Sequence, residues 1–229
     1  MALKAPKGND KSFTPQENLE PGTYKARLVQ LIDLGLQPQR PYQGQEKKPA
    51  YEIMLTYELV DEFMKDENGE DIEDKPRWIS ESFALHSLSN DRAKSTKRYE
   101  AFDKEHEFDG DFTKCVGQPV LVTIVNNKVG DKVYDNVANL AAMRAKDAAN
   151  CPELVNGTKV FDLSSPDMEV FNALPQWLQD KIKGNLEFNG SALSKKLGGA
   201  EAPAKPKKQD EDEDNPRIKG LEDQSNNPY

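Results

Sequence analysis

Cysteine is almost missing from this 229-residue chain: Cys115 and Cys151 stand far apart and form no C-x-x-C pair. A disulfide framework and a paired-thiol redox motif are therefore excluded. Long apolar runs are missing too. The longest, such as Pro119 to Val125, fall far short of the roughly 20 residues that a bilayer span needs, so no transmembrane helix is expected. The opening MALKAPKGNDKSFTPQ has no apolar h-region, which predicts no secretory signal and a cytoplasmic location. In that compartment the sequons Asn156-Gly157-Thr158 and Asn189-Gly190-Ser191 serve as turn chemistry, not as glycan acceptors.

The motifs of catalysis are lacking as well. There is no G-x-x-x-x-G-K-[ST], G-x-G-x-x-G or G-x-S-x-G. His86 and His106 sit in no zinc-binding spacing. Asp109-Gly110-Asp111 supplies half of a metal site without a third ligand. A calcium loop with Gly69 at its sixth position would begin at Met64, which has no ligand oxygen. No enzyme activity, cofactor or metal is expected.

Charge is abundant but local. At 36% hydrophobic and 31% charged residues, with mean hydropathy −0.83, the chain is too polar to fold along its whole length. Of the net charge of −9, the stretch from Gln209 to Tyr229 holds −5, seven acids against Arg217 and Lys219. A second acidic block runs from Asp61 to Asp74 against Lys65 alone.

The pattern along the chain predicts a flexible arm over 1–22, rich in Pro and Gly, with order beginning near Thr23. Tyr24 to Leu34 alternates and then turns continuously apolar, as in a long, curved, bulged strand. Gln37 to Ala50, rich in Pro, Gly and Gln, is expected to be a long loop outside any sheet. Tyr51 to Val60 alternates as a half-buried strand, Asn68-Gly69 turns the chain, and Arg77 to Leu85 forms a third strand. Asn90 is placed as the cap of a helix reaching about Lys104, with Ala93, Tyr99 and Phe102 on its apolar stripe and Arg92, Lys94, Lys97 and Arg98 mostly on a solvated face. Gln118 to Asn127 and Val133 to Leu140 flank a Gly130-Asp131 hairpin turn.

The resulting order, β-β-β-α-β-β over residues 23–142, is that of a mainly β protein with a five-stranded OB-fold barrel and one inserted helix. Residues 143–197 form a helical extension. In it Ser165-Pro166-Asp167 starts a helix with Met168, Phe171 and Leu174, and Pro175 restarts it toward Trp177, Leu178 and Ile182. That apolar surface is expected to cover the barrel, with a partner or dimer surface as the alternative. Residues 198–229, polar and aperiodic, are expected to be a disordered acidic tail.

Single-strand binding by such a barrel needs cations along the phosphates and flat side chains beneath the bases. Lys25 and Arg27 lie on the first strand, Arg40, Tyr42, Lys47 and Lys48 in the loop after it, and Tyr51 opens the second strand. Arg77 and Trp78 begin the third strand, while Lys128, Lys132 and Tyr134 flank the last hairpin. Tyr57 and Phe83 are expected in the core, and Trp78 fits either core or surface. No helix-turn-helix, zinc finger or basic recognition helix is present to read duplex DNA.

The segments PGTYKARLVQLIDLG, YEIMLTYEL, ISESFALHSLSNDRAKSTKRYEAF, GQPVLVTIV, YDNVANL and PDMEVFNALPQWLQDKI resemble the OB-fold single-stranded DNA-binding proteins of tailed bacteriophages, over most of residues 21–184. The resemblance implies coating of single strands without sequence specificity during phage DNA replication, recombination or repair, in the host cytoplasm. It also implies that the tail, Asp210, Glu211, Asp212, Glu213 and Asp214 with Pro228 and Tyr229 at the tip, regulates access or recruits phage or host replication proteins. Glu52 and Glu81 stand where many relatives carry bases, which shifts weight to the loop cations. A homo-oligomer would let a barrel of this size gain affinity along a strand. The rival reading is a protein-interaction adaptor with a DNA-mimicking tail.

Overall fold

The computed structural model describes residues 17–199. Five antiparallel strands curl into a half-barrel in the order β3-β2-β1-β4-β5: β1 (Gly22–Tyr42), β2 (Gln45–Lys65), β3 (Asp71–Ala84), β4 (Pro119–Val129) and β5 (Lys132–Ala141). A helix, α1 (Lys94–Glu100), is inserted between β3 and β4. After β5 come α2 (Ala145–Ala149), β6 (Lys159–Phe161), α3 (Met168–Ala173), α4 (Gln176–Lys183) and α5 (Ala192–Lys196). Among the described residues no helix is long and apolar enough to cross a membrane.

The continuous apolar run of β1 follows from its two bulges. Register slips between Leu28 and Gln30 and again between Asp33 and Gly35, which resets the two-residue alternation and puts Leu28 and Leu31, three apart, on one face of a strand buried on both. Leu28 and Leu31 point into the barrel core with Leu55, Tyr57, Phe83, Tyr99 and Val122. Ile32 and Leu34 point outward into a second core built with Met54, Phe161 of β6, Phe171 of α3 and Leu178 and Ile182 of α4. The helical extension thus packs on the outer face of β1 and β2. Parallel pairing of β6 with Gln30–Ile32 adds backbone hydrogen bonds to that contact.

Several sequence expectations need correction. Gln37 to Ala50 is not a loop but the outer half of the β1–β2 hairpin, closed at Gln43 and Gly44, both at positive φ. Two consecutive positive φ values are the signature of a tight two-residue hairpin turn. Its prolines are accommodated by further register slips at Gln37/Gln39 and Gln39/Tyr42, since a bulge removes the ladder donor that proline lacks. The acidic block is mostly strand, with β2 reaching Lys65 and β3 starting at Asp71. Its turn is organised by Asp66, whose carboxylate accepts Asn68 N at 2.8 Å and Glu70 N at 2.9 Å. Those backbone bonds, led by the one from Glu70, hold the Asp66 carboxyl below its ordinary range.

The inserted helix is shorter than the Asn90–Lys104 span. It is capped at Ala93 and ends at Glu100, because Asp103 takes the Glu107 and Phe108 amides at 2.9 and 2.7 Å. A side chain that binds nearby amides in this way competes with helical continuation. Arg98 is not on a solvated face but 3% exposed. In the extension the cap is Asp167, whose carboxylate accepts Glu169 N and Val170 N, not Ser165 ahead of a first-turn proline. Fixed structure also begins before Thr23: Leu19 is buried in the barrel core, and its amide donates to Asp135 Oδ2 at 3.0 Å.

Candidate nucleic-acid interface

Alternation along β2 and β3 sets two faces. Ile53, Leu55, Tyr57, Ile79, Glu81 and Phe83 point into the barrel. Glu52, Met54, Thr56 and Glu58 of β2, with Trp78, Ser80 and Ser82 of β3, share the outer face, as their cross-strand pairing requires. The floor is polar and self-satisfied where Thr56 Oγ1 and Ser80 Oγ meet at 2.9 Å.

Over one side of this face stands α4. Between it and β3 lies a hollow of about 180 Å³ lined by Leu34, Met54, Ser80, Glu81, Ser82, Trp177, Leu178 and Lys181. A second hollow of about 400 Å³ shares Ser82 and Lys181 with it and continues past Glu52 to Gln37, Gln39, Arg40 and Lys47 on the β1–β2 hairpin. Trp78 stands two residues from Ser80 on the same face and is 41% exposed. A groove therefore runs from aromatic surface to the cationic hairpin, where Lys48 is also exposed.

Two of the three acids of these strands are paired with cations. Glu52 receives Lys181 Nζ at 2.8 Å and Gln39 Nε2 at 2.9 Å. Glu81 faces the interior, where it receives Arg98, Lys94 and the Tyr57 hydroxyl. Burial beside this carboxylate pushes the Tyr57 hydroxyl well above its ordinary pKa. Glu58, buried, accepts Trp78 Nε1 at 3.0 Å, Asn156 Nδ2 at 2.7 Å and Val155 N at 2.6 Å. It thereby fixes the indole edge of Trp78 while the residue stays partly exposed.

The other expected contacts lie elsewhere. Arg27 spends its guanidinium on the carbonyls of Pro152, Cys151 and Gly117 at 2.7, 2.9 and 2.9 Å and on Glu153 at 2.9 Å. Its role in the fold is to clamp the chain after β5, which occupies four of its five N–H donors. Lys25 is exposed but stands 3.7 Å from Asp61. Arg77 is mostly covered, 3.6 Å from Asp135 across the seam between β3 and β5. Tyr51 points away from the groove, donates its hydroxyl to Glu187 at 2.8 Å and lines a separate apolar hollow with Leu31, Ile53 and Phe112. The hydrogen bond to that carboxylate raises its pKa.

Lys128, Lys132 and Tyr134 are exposed on the β4–β5 hairpin. The pairing of Gly22 with Ile124 places that tip beyond the start of β1, whereas Arg40 lies near its end. The two cationic hairpins thus occupy opposite ends of β1. The Tyr42 side chain and the tail residues Asp210 to Asp214, Pro228 and Tyr229 lie outside the described residues.

Trp177 and Lys181 are absent from the sequence-derived site. A helical wheel carries the signal: Leu174, Leu178 and Ile182 recur every four residues as the buried stripe, and Trp177 falls about 100° off it. Among the described residues no group of three or more His, Cys, Asp or Glu is placed to hold a metal ion. No protein-family model matches this chain, and no curated protein matches it.

Proposed function

We propose that the half-barrel is an OB fold and that the protein binds single-stranded DNA, coating it without sequence specificity and without catalysis. The reading rests on one observation: the outer face of β2 and β3 is left open as a groove that joins exposed tryptophan surface to the cations of the β1–β2 hairpin. Bases stack on any flat ring, and phosphates need only positive charge along their path, so such a groove accepts a strand of any sequence. Two of the three strand acids, Glu52 and Glu81, are paired with cations, which weakens the electrostatic objection to a polyanion in this place. The resemblance to phage single-strand binders gives the reading its setting of replication, recombination or repair, and gives the acidic tail its role in regulating access or recruiting replication proteins.

Titration with fluorescein-labelled oligo(dT) over a salt series tests it. Binding that weakens with salt, each phosphate contact adding about 0.7 to the log–log slope, is the expected result. Failure to bind at low salt, also after removal of 209–229, overturns it and favours the adaptor reading.

A further inference from the structure

The stripe Leu174, Leu178 and Ile182 buries α3 and α4 in the second core, but Trp177 keeps 60% of its surface exposed, more than Trp78. An indole left this open has a large flat area to offer. The hollow beside it, about 180 Å³, is smaller than the roughly 300–1,000 Å³ of pockets for drug-sized ligands. It has room for one ring system.

Its walls are apolar at Leu34 and Met54, and its polar groups come from both sides, Ser82 on β3 and Lys181 on α4. Among the described residues the Ser82 hydroxyl has no hydrogen-bond partner, whereas Ser80 is engaged with Thr56. Lys181 gives one N–H to Glu52 and keeps two donors. The ligand that matches is a flat ring with acceptor atoms on its edge, joined to an anion that can follow the same groove toward Arg40 and Lys47. That is the chemistry of a nucleotide within a strand.

We infer that α4 forms the second wall of the proposed groove and that this slot takes one unpaired base, its face against Trp177 and its edge toward Ser82 and Lys181. The inference rests on the single-strand reading and names a subsite within it. It makes the helical extension part of the binding site and not only a brace on the barrel.

Trp177→Ala and Trp177→Phe are compared with the unchanged full-length protein on labelled oligo(dT) and on a length-matched abasic strand. Stacking contributes about 1–3 kcal/mol per base, so W177A is expected to weaken oligo(dT) binding by about 5- to 150-fold. W177F retains most of the affinity, and the abasic strand is held equally by all the proteins. Unchanged oligo(dT) affinity in W177A overturns the inference, as does an equal loss on the abasic strand, because Trp177 would then act on the backbone or through the fold. Full binding by the unchanged protein in either case leaves the single-strand reading standing; no binding by it overturns both.

Discussion

The guanidinium of Arg98 grips both oxygens of Glu81, Nε to Oε1 at 2.8 Å and one terminal nitrogen to Oε2 at 3.1 Å. The same terminal nitrogen reaches the carbonyls of Val137 and Ala138 on β5 at 3.5 and 3.3 Å. Glu81 belongs to β3, so the pair ties together the two ends of the strand order where the half-barrel would otherwise gape. Lys94 Nζ, 2.8 Å from Glu81 and 5.6 Å from the Phe83 ring centroid, covers the pair from α1.

Breaking this pair from one side should cost more than removing it. Arg98→Met leaves the buried carboxylate with Lys94 and the Tyr57 hydroxyl alone and is expected to lower stability by about 1–3 kcal/mol. Arg98→Met with Glu81→Leu should recover part of that loss. Urea denaturation measures both, and a single-variant loss under about 1 kcal/mol would place the pair in contact with solvent.

The salt dependence of DNA binding should report the β1–β2 hairpin before the β4–β5 hairpin. Arg40→Ala with Lys48→Ala is expected to lower the log–log slope by about 1.4, two contacts of about 0.7 each. Lys128→Ala with Lys132→Ala should change it less, because that tip lies at the other end of β1. Equal changes would mean that the strand spans both ends.

Asp103 and Tyr99 predict opposite limbs of a pH–stability curve. Burial alone would raise the Asp103 carboxyl, but hydrogen bonds from the Tyr99 hydroxyl, Phe108 N and Glu107 N outweigh it and hold it below its ordinary range. Its contribution is present above an ordinary aspartate pKa of about 3.9 and is lost as pH falls through the lower folded value. Burial, with the same bond, pushes Tyr99 up to about 12. That contribution is present below about 10 and is lost as pH rises through the folded value. Unfolding temperature measured against pH should show a flatter acid limb in Asp103→Asn and a flatter alkaline limb in Tyr99→Phe. An unchanged acid limb in Asp103→Asn would remove this assignment.

Gly35 joins the barrel to its extension and should tolerate no side chain. It sits at φ +73, and a Cβ there would stand 2.8 Å from Asn185 Cγ and 2.9 Å from Leu163 Cδ1. Gly35→Ala is expected to cost about 1–2 kcal/mol for the left-handed backbone and about 1–3 kcal/mol for overpacking. Gly44→Ala, at φ +77 with nothing within 4 Å, should incur the backbone cost alone. Chemical denaturation of the two variants compares the terms, and equal losses would show that Asn185 and Leu163 yield freely.

Strand positions were legible where one face is buried and the other is wet. Tyr51 to Val60 alternates in sequence and pairs as expected, with Ile53, Leu55, Tyr57 and Leu59 inward. The hairpin over Gln37 to Ala50 was not legible, because its prolines sit at register slips that only pairing with the opposite strand creates. The candidate site was legible in part. Arg40 and Lys47 line the groove and Trp78 lies on its face, but Arg27 has its donors turned inward by a segment more than 120 residues away in sequence.

Composition and periodicity by themselves determined the succession of strands along the chain around one inserted helix, the alternation that makes β2 two-faced, and the concentration of acid beyond residue 209. These are local properties, set by which neighbours along the chain are apolar or charged. Tertiary structure alone decided which charges are paired: Glu52 and Glu81 meet Lys181 and Arg98, Arg27 meets Glu153 and carbonyls after β5, and Glu58 is held by the neutral donors of Trp78, Val155 and Asn156. It also decided that Trp177 stands open beside Ser82. A side chain's charge is written in the sequence, but its partner is chosen by folding, which brings distant residues within hydrogen-bond reach.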